Sequence, residues 1–201
     1  MPETFGYSVS ATTRKARAGE QDGTAYHFLT RDEFQRRVRA GEFLEWAEYA
    51  GALYGTLRSE VDRVLARGRN VVLDIEVHGA RQVRAAYPRP RSVSIFVIPP
   101  SPQVLLERLR RRRTESEREL GERLAIAVQE VRTAAQDSEG ALFDQILVND
   151  DLDTAVQRVA AIVEHLDAAP ERGRAVQLLT RFVAQLEVET ERLTQSSKRS
   201  S

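Results

Sequence analysis

The 201-residue sequence contains no cysteine, which excludes disulfides, thiolate nucleophiles and cysteine-bound zinc. It also lacks a charge excess: 30 Lys and Arg balance 30 Asp and Glu. Bulk electrostatics therefore offers nothing to hold a polyanion, and no nucleic-acid partner is expected. The three histidines, His27, His78 and His165, are scattered, and without cysteine they make no case for a zinc centre. No apolar run approaches the roughly 18 residues that span a bilayer. Residues 1–4 have neither the basic nor the apolar region of a signal peptide. No membrane partner is expected, and a cytoplasmic protein is the default.

What is present is an apolar fraction of 41%, enough for a core, and a charged fraction of 30%, suited to a solvated surface. The stretch Ser8-Val9-Ser10-Ala11-Thr12-Thr13-Arg14, followed by Arg17 and Gly19-Glu20, gathers hydroxyls and guanidinium groups on one irregular segment. That equipment suits a phosphate, because arginine offers a planar fork to two oxygens at once. The same composition also describes an ordinary solvated loop. Residues 5–10 read as a strand entering this segment, and residues 26–28 as a second one. Thr30-Arg31-Asp32-Glu33 has the form of a capping box opening a helix that stops at Gly41. Residues 43–49 alternate, with Glu45 among aromatic neighbours, and residues 52–56 make a hairpin partner. The expectation is a small, mostly antiparallel β patch with one helix.

From Ser59, read as a helix cap, strand and helix alternate. Nearly continuous apolar strands are expected at 70–75, 92–98 and 143–148, covered on both faces. Helices are expected at 79–86, after Ser101-Pro102, at 116–135 and at 153–166. This pattern predicts a parallel α/β sheet. Residues 167–173 read as a linker, and residues 174–195 as an amphipathic helix carrying Leu179, Phe182, Leu186 and Leu193. That helix either packs on its own domain or makes a homodimer contact. Residues 196–201 are expected to be a disordered tail.

In an open parallel sheet, ligands gather at the carboxyl ends of strands. Asp74 and Glu76 fall at such an end, where carboxylates can hold a metal-bound water, hydrogen-bond a base or simply cap a helix. Arg108 and Arg110 to Arg113 lie between acids, with no interleaved aromatic residues for base stacking. They read either as a solvated helix end or, with Arg108, Arg112 and Arg123 converging, as charge neutralisation for a transferring phosphoryl group. Glu45 can accept from a base edge that carries N–H groups. With Ser10, Arg14, Arg17, Tyr26, Tyr54 and Thr56 it would complete a mononucleotide pocket.

These residues in this order resemble the guanylate kinase family. The segments that carry the resemblance are Ser8 to Arg14 with Arg17, Gly19-Glu20 and Asp22-Gly23, then Tyr26-His27-Phe28, Gly41 to Glu48 and Leu53-Tyr54-Gly55-Thr56. They continue with Leu73-Asp74-Ile75, Gly79-Ala80, Pro99-Pro100-Ser101, Arg112 with Thr114 to Glu117, and Val148 to Asp153. Each motif is weak alone, and their co-linear combination is specific. The resemblance covers residues 5 to 166 and implies a P-loop kinase-like core sheet. To that core it adds an inserted, mostly antiparallel GMP-binding β subdomain at about 8–58 and a helical lid at about 108–135. It implies reversible phosphoryl transfer from ATP to GMP, with Mg2+. Ser10, Arg14, Arg17, Tyr26 and Tyr54 would hold the GMP phosphate, and Glu45 and Thr56 would read guanine. Asp74, with Glu76 nearby, would sit between base and metal water. Arg108, Arg112 and Arg123 would neutralise the transferred group, and Asn149 would lie near adenine.

Glu76 stands where the family usually has Asp, His78 where Gln is common, and Arg113 where Gly is common. The family's donor-phosphate motif, G-x-x-G-x-G-K-[ST], does not occur in these residues. The expectation is therefore an N-terminally truncated guanylate kinase with little activity alone. The alternative is a non-catalytic module that binds GMP or a phosphorylated peptide at the same site.

Overall fold

The computed structural model describes residues 4–111, 117–137, 141–164 and 172–199. It divides into two compact units, Met1–Pro88 and Arg89–Ser201.

The first unit contains β1 (Phe5–Tyr7), β2 (Ala11–Thr12), β3 (His27–Phe28), α1 (Arg31–Arg39), β4 (Phe43–Tyr49), β5 (Ala52–Leu57), α2 (Arg58–Leu65), β6 (Asn70–Val72) and α3 (Val77–Ala86). A four-stranded sheet has the order β3-β2-β5-β4, with β2 parallel to β3 and antiparallel to β5, and β4 antiparallel to β5. This is the expected β patch. Its core is formed by Ala11, Phe34, Phe43, Leu53 and Leu57, with Leu29 and Val38 against them. Phe34 of α1 stacks on Phe43 at 4.3 Å between ring centroids. Thr30 caps α1 by accepting from the Glu33 N–H at 3.2 Å. The other half of the expected capping box is not made, because the Glu33 carboxylate turns to Arg36 and Arg37.

Ser59 is not the cap of α2; that helix starts at Arg58, two residues earlier than expected, with Leu57 as its N-cap and no side-chain cap bond. The strand expected at 70–75 ends at Val72, so Leu73 to Glu76 form the connection into α3. Among the described residues of this unit β6 pairs only with β1, in parallel.

The second unit contains β7 (Ile95–Ile98), α4 (Pro102–Arg111), α5 (Glu117–Gln136), β8 (Gln145–Val148), α6 (Leu152–Glu164) and α7 (Arg172–Arg199). Ser101 Oγ accepts from Val104 N–H at 3.3 Å, capping α4 as expected. Parallel strands β7 and β8 form a two-stranded sheet. The strands at the parallel core are shorter than expected and are not covered on both faces: Val72 is 44% exposed and Val97 50%. Apolar composition alone could not distinguish a covered strand from one with an open face.

Helix α7 starts at Arg172 and continues to Arg199, so it exceeds the expected 174–195 at both ends. Leu179, Phe182 and Leu186 repeat at helical spacing and are buried. They face α5, whose Leu120, Leu124, Val128, Val131 and Ala134 form its own buried stripe. The described part of the apolar stripe of α7 is thus occupied within its own unit, as the first of its two expected roles requires. The Leu193 side chain and most of the 167–173 linker lie outside the described residues. No described helix is long and apolar enough to cross a membrane.

Candidate functional site: one face of the four-stranded sheet

Strand alternation sorts the side chains of β5. Leu53, Gly55 and Leu57 face the α1 core, so Tyr54 and Thr56 point to the opposite face. Two residues along a strand are about 7 Å apart, so Tyr54 and Thr56 stand side by side on that face.

At one end, Tyr54 is opposite Thr12 on β2, and Thr12 is opposite Phe28 on β3. Tyr26, Phe28, Tyr49 and Tyr54 cluster here, with Tyr26 and Tyr49 each edge-on to Tyr54. The Arg14 guanidinium lies over this cluster, 5.3 Å from the Tyr26 ring and 5.8 Å from the Phe28 ring. Gly19, at φ 85, turns the chain back. Glu20 can then meet Arg14 in a two-pronged pair at 2.9 and 3.0 Å, and the same carboxylate accepts from the Arg17 backbone at 2.7 Å. The Glu20 hydrogen bond raises the Arg14 pKa, burial opposes this, and the Tyr54 hydroxyl adds to the rise. The result is a fixed cation framed by tyrosines. The Arg17 side chain is exposed. Ser10 is half-buried, and its carbonyl accepts from His27.

At the other end sits Glu45, and strand alternation alone would misplace it. Residues 43 and 45 of a regular strand share a face, and Phe43 belongs to the core. A bulge between Phe43 and Glu45 breaks the register: Phe43 pairs with Leu57, whereas Glu45 pairs with Thr56. The extra residue swings Glu45 onto the face of Thr56 and Tyr54. Glu45 is buried, only 4% exposed, and Thr56 Oγ1 donates to its Oε1 at 2.6 Å. Burial raises the Glu45 pKa, the Thr56 hydrogen bond opposes the rise, and the nearby Glu76 charge adds to it.

Asp74 is exposed in the connection after β6, near enough to Tyr7 to raise that hydroxyl's pKa, second to burial. The Glu76 carboxylate caps α3, accepting from the His78 and Gly79 amides. Its carboxylate is thus engaged with its own helix. Among the described residues no cluster of three His, Asp or Glu forms a metal cage.

In the second unit, Arg108 of α4 donates to the Asn149 carbonyl at 2.9 Å, and Asn149 N–H extends the β7–β8 ladder to Ile98 O at 2.7 Å. These two expected site residues are therefore neighbours. Arg123 sits on the first turns of α5, half-buried. Arg112 lies outside the described residues.

Sequence reading quoted Gly79 in a motif without giving it a role, and it missed Gln82 and the pairing role of Glu20. Glu20 stood in the quoted motif, and its spacing from Arg14 across Gly19 was the available signal. Nothing local marked Gln82, whose partner is 36 residues away.

The Arg14 guanidinium and the buried Glu45 carboxylate therefore share one sheet face. The family model described as "Guanylate kinase" matches residues 1–166. The chain is 49% identical to a guanylate kinase of Synechocystis sp. over 156 residues, 78% of each chain. It is 47% identical to one of Symbiobacterium thermophilum over 182 residues, 90% of this chain and 82% of the relative. The crystal structure of guanylate kinase from Anaplasma phagocytophilum matches with a TM-score of 0.64 at 32% identity, covering 90% of this chain and 87% of that one. The chain belongs to the guanylate kinase family.

Proposed function

We propose that the protein serves reversible phosphoryl transfer from ATP to GMP, giving ADP and GDP, in the purine metabolism of the cytoplasm. The observation that carries this reading is the placement of Arg14 and Glu45 at opposite ends of one sheet face. A guanine edge offers two neighbouring N–H donors, and a buried carboxylate pinned by Thr56 is their natural acceptor. The 5′-phosphate then falls to Arg14, Tyr26 and Tyr54, with Ser10 and Arg17 approaching from the same loop. Phosphoryl transfer asks for alignment and charge neutralisation rather than covalent chemistry. Arg108, Arg112 and Arg123 supply the positive charge, and Asn149 lies on the adenine side. Mg2+ keeps most of its waters and rides on substrate phosphates. The exposed Asp74 carboxylate fits a water-mediated contact to it, and the ion would offset charge on the donor phosphates. Residues 8–58 form the GMP subdomain of this scheme, and the region about 108–135 forms its lid.

GMP titration calorimetry on the 201-residue chain tests the site. Arg14→Ala should weaken GMP by about 10- to 100-fold, the scale of lost charge-assisted hydrogen bonds. Unchanged affinity would sink the assignment. Because G-x-x-G-x-G-K-[ST] is not among these residues, the same chain should form ADP from ATP and GMP only slowly. Turnover at ordinary kinase rates, about 1–100 s⁻¹, would refute that dependence on the motif.

A further inference from the structure

Strand β4 ends the order β3-β2-β5-β4, so among the described residues one of its edges has no strand neighbour. It is also the strand that carries the bulge, where the ladder is weakest. The residue it must hold steady, Glu45, lies just beyond that bulge. Helix α3 lies along this open edge. From it the Gln82 carboxamide meets the backbone of Trp46: Nε2 donates to Trp46 O at 2.8 Å, and Oε1 accepts from Trp46 N–H at 3.3 Å. An amide group has the donor and acceptor of a peptide unit, so Gln82 does for Trp46 what a fifth strand would do. One turn earlier on the same helix, Gly79 makes room for the carboxylate. A Cβ at position 79 would lie 2.5 Å from Glu45 Oε2 and 3.2 Å from its carboxyl carbon.

We propose that Gln82 and Gly79 are positioning residues for base recognition. Gln82 clamps the open strand edge at Trp46, Gly79 leaves the gap that Glu45 fills, and together they set the guanine-reading carboxylate in place. This rests on the reading of Glu45 as the guanine acceptor.

The test uses the whole chain, with GMP and IMP titrated by calorimetry. IMP is the same nucleotide without the exocyclic amine, so it loses one of the two donors offered to Glu45. Gln82→Met keeps the side-chain length and removes both hydrogen bonds. It should weaken GMP by about 3- to 10-fold and IMP by less, narrowing the preference, with an unchanged melting temperature. Gly79→Ala puts a better helix former into α3. A structural role alone predicts that GMP and IMP affinity fall together with stability, whereas the positioning role predicts a GMP loss of about tenfold or more that exceeds the loss for IMP at temperatures where the variant is folded. Either variant keeping wild-type GMP affinity, or GMP and IMP falling equally, overturns the proposal. Glu45→Gln separates the two levels. If it weakens GMP while Gln82→Met and Gly79→Ala do not, the positioning roles fail alone. If it leaves GMP binding unchanged, the base-reading assignment fails and takes this inference with it.

Discussion

The two units present their charged site residues in opposite ways. In Met1–Pro88 each key group is held before any ligand arrives: Arg14 is forked by Glu20 over aromatic rings, and Glu45 is pinned by Thr56. In Arg89–Ser201 the arginines ride on helices, Arg108 tied to one carbonyl and Arg123 on a helix braced by α7. On the proposed reading the first unit discriminates, and discrimination needs a rigid acceptor whose cost of ordering is met in folding. On the same reading the second handles charge, which needs proximity more than a fixed hydrogen-bond pattern.

The sharpest way to break this contrast is to loosen one unit alone. Phe182→Ala removes a buried ring from the α5–α7 seam, which should cost about 3–5 kcal/mol of stability by urea unfolding. GMP affinity should hold under conditions where the variant stays folded. Parallel loss of GMP binding would show that the units are not independent in this respect.

A smaller effect tests the rigid acceptor by pH. Burial raises the Glu45 pKa in the folded state, so the folded chain holds that proton more tightly than the unfolded one. Stability from this group is therefore greatest at low pH, and it is lost as pH rises from the ordinary glutamate range through the raised value. Above that range the ionised, buried carboxylate is a standing cost. Glu45→Gln should flatten this slope and raise the melting temperature at neutral pH, while GMP affinity falls about tenfold or more. In the wild type, GMP binding should weaken as pH drops through the Glu45 pKa, since a protonated carboxyl cannot accept both guanine donors. A variant with an unchanged pH profile would remove Glu45 as the responsible group.

The smallest effect is expected at the rim of the α5–α7 seam. Arg132 pairs there with Glu187, and both side chains are about 40% exposed. Arg132→Ala should cost no more than about 1 kcal/mol. A loss comparable to that of Phe182→Ala would mean the seam is held by charge rather than by its apolar stripe.

Much of this was legible in residue order. The Thr30 and Ser101 caps, the β patch, the stripe on α7 and the family motifs all depend on neighbours a few positions apart. Such patterns survive without knowledge of the partner. The strand limits were less legible, because Leu73, Asp74 and Ile75 are as apolar or as acidic in a connection as in a strand. Glu76 could be read as a ligand or a cap, and only the position of the α3 amides chose the cap.

What residue order determined was the inventory: arginines and tyrosines that make a candidate phosphate set, a glutamate among aromatics, and helices with one apolar face. What tertiary structure decided was aim. A one-residue slip reverses every side chain of a strand, and the bulge after Phe43 uses that rule to turn Glu45 away from the core toward Thr56. Gln82 and Gly79, more than 30 positions downstream, reach the same point because α3 lies along β4. Facing is set by cross-strand register and helix docking, which are properties of distant segments meeting, so it could not be read from any single stretch of the chain.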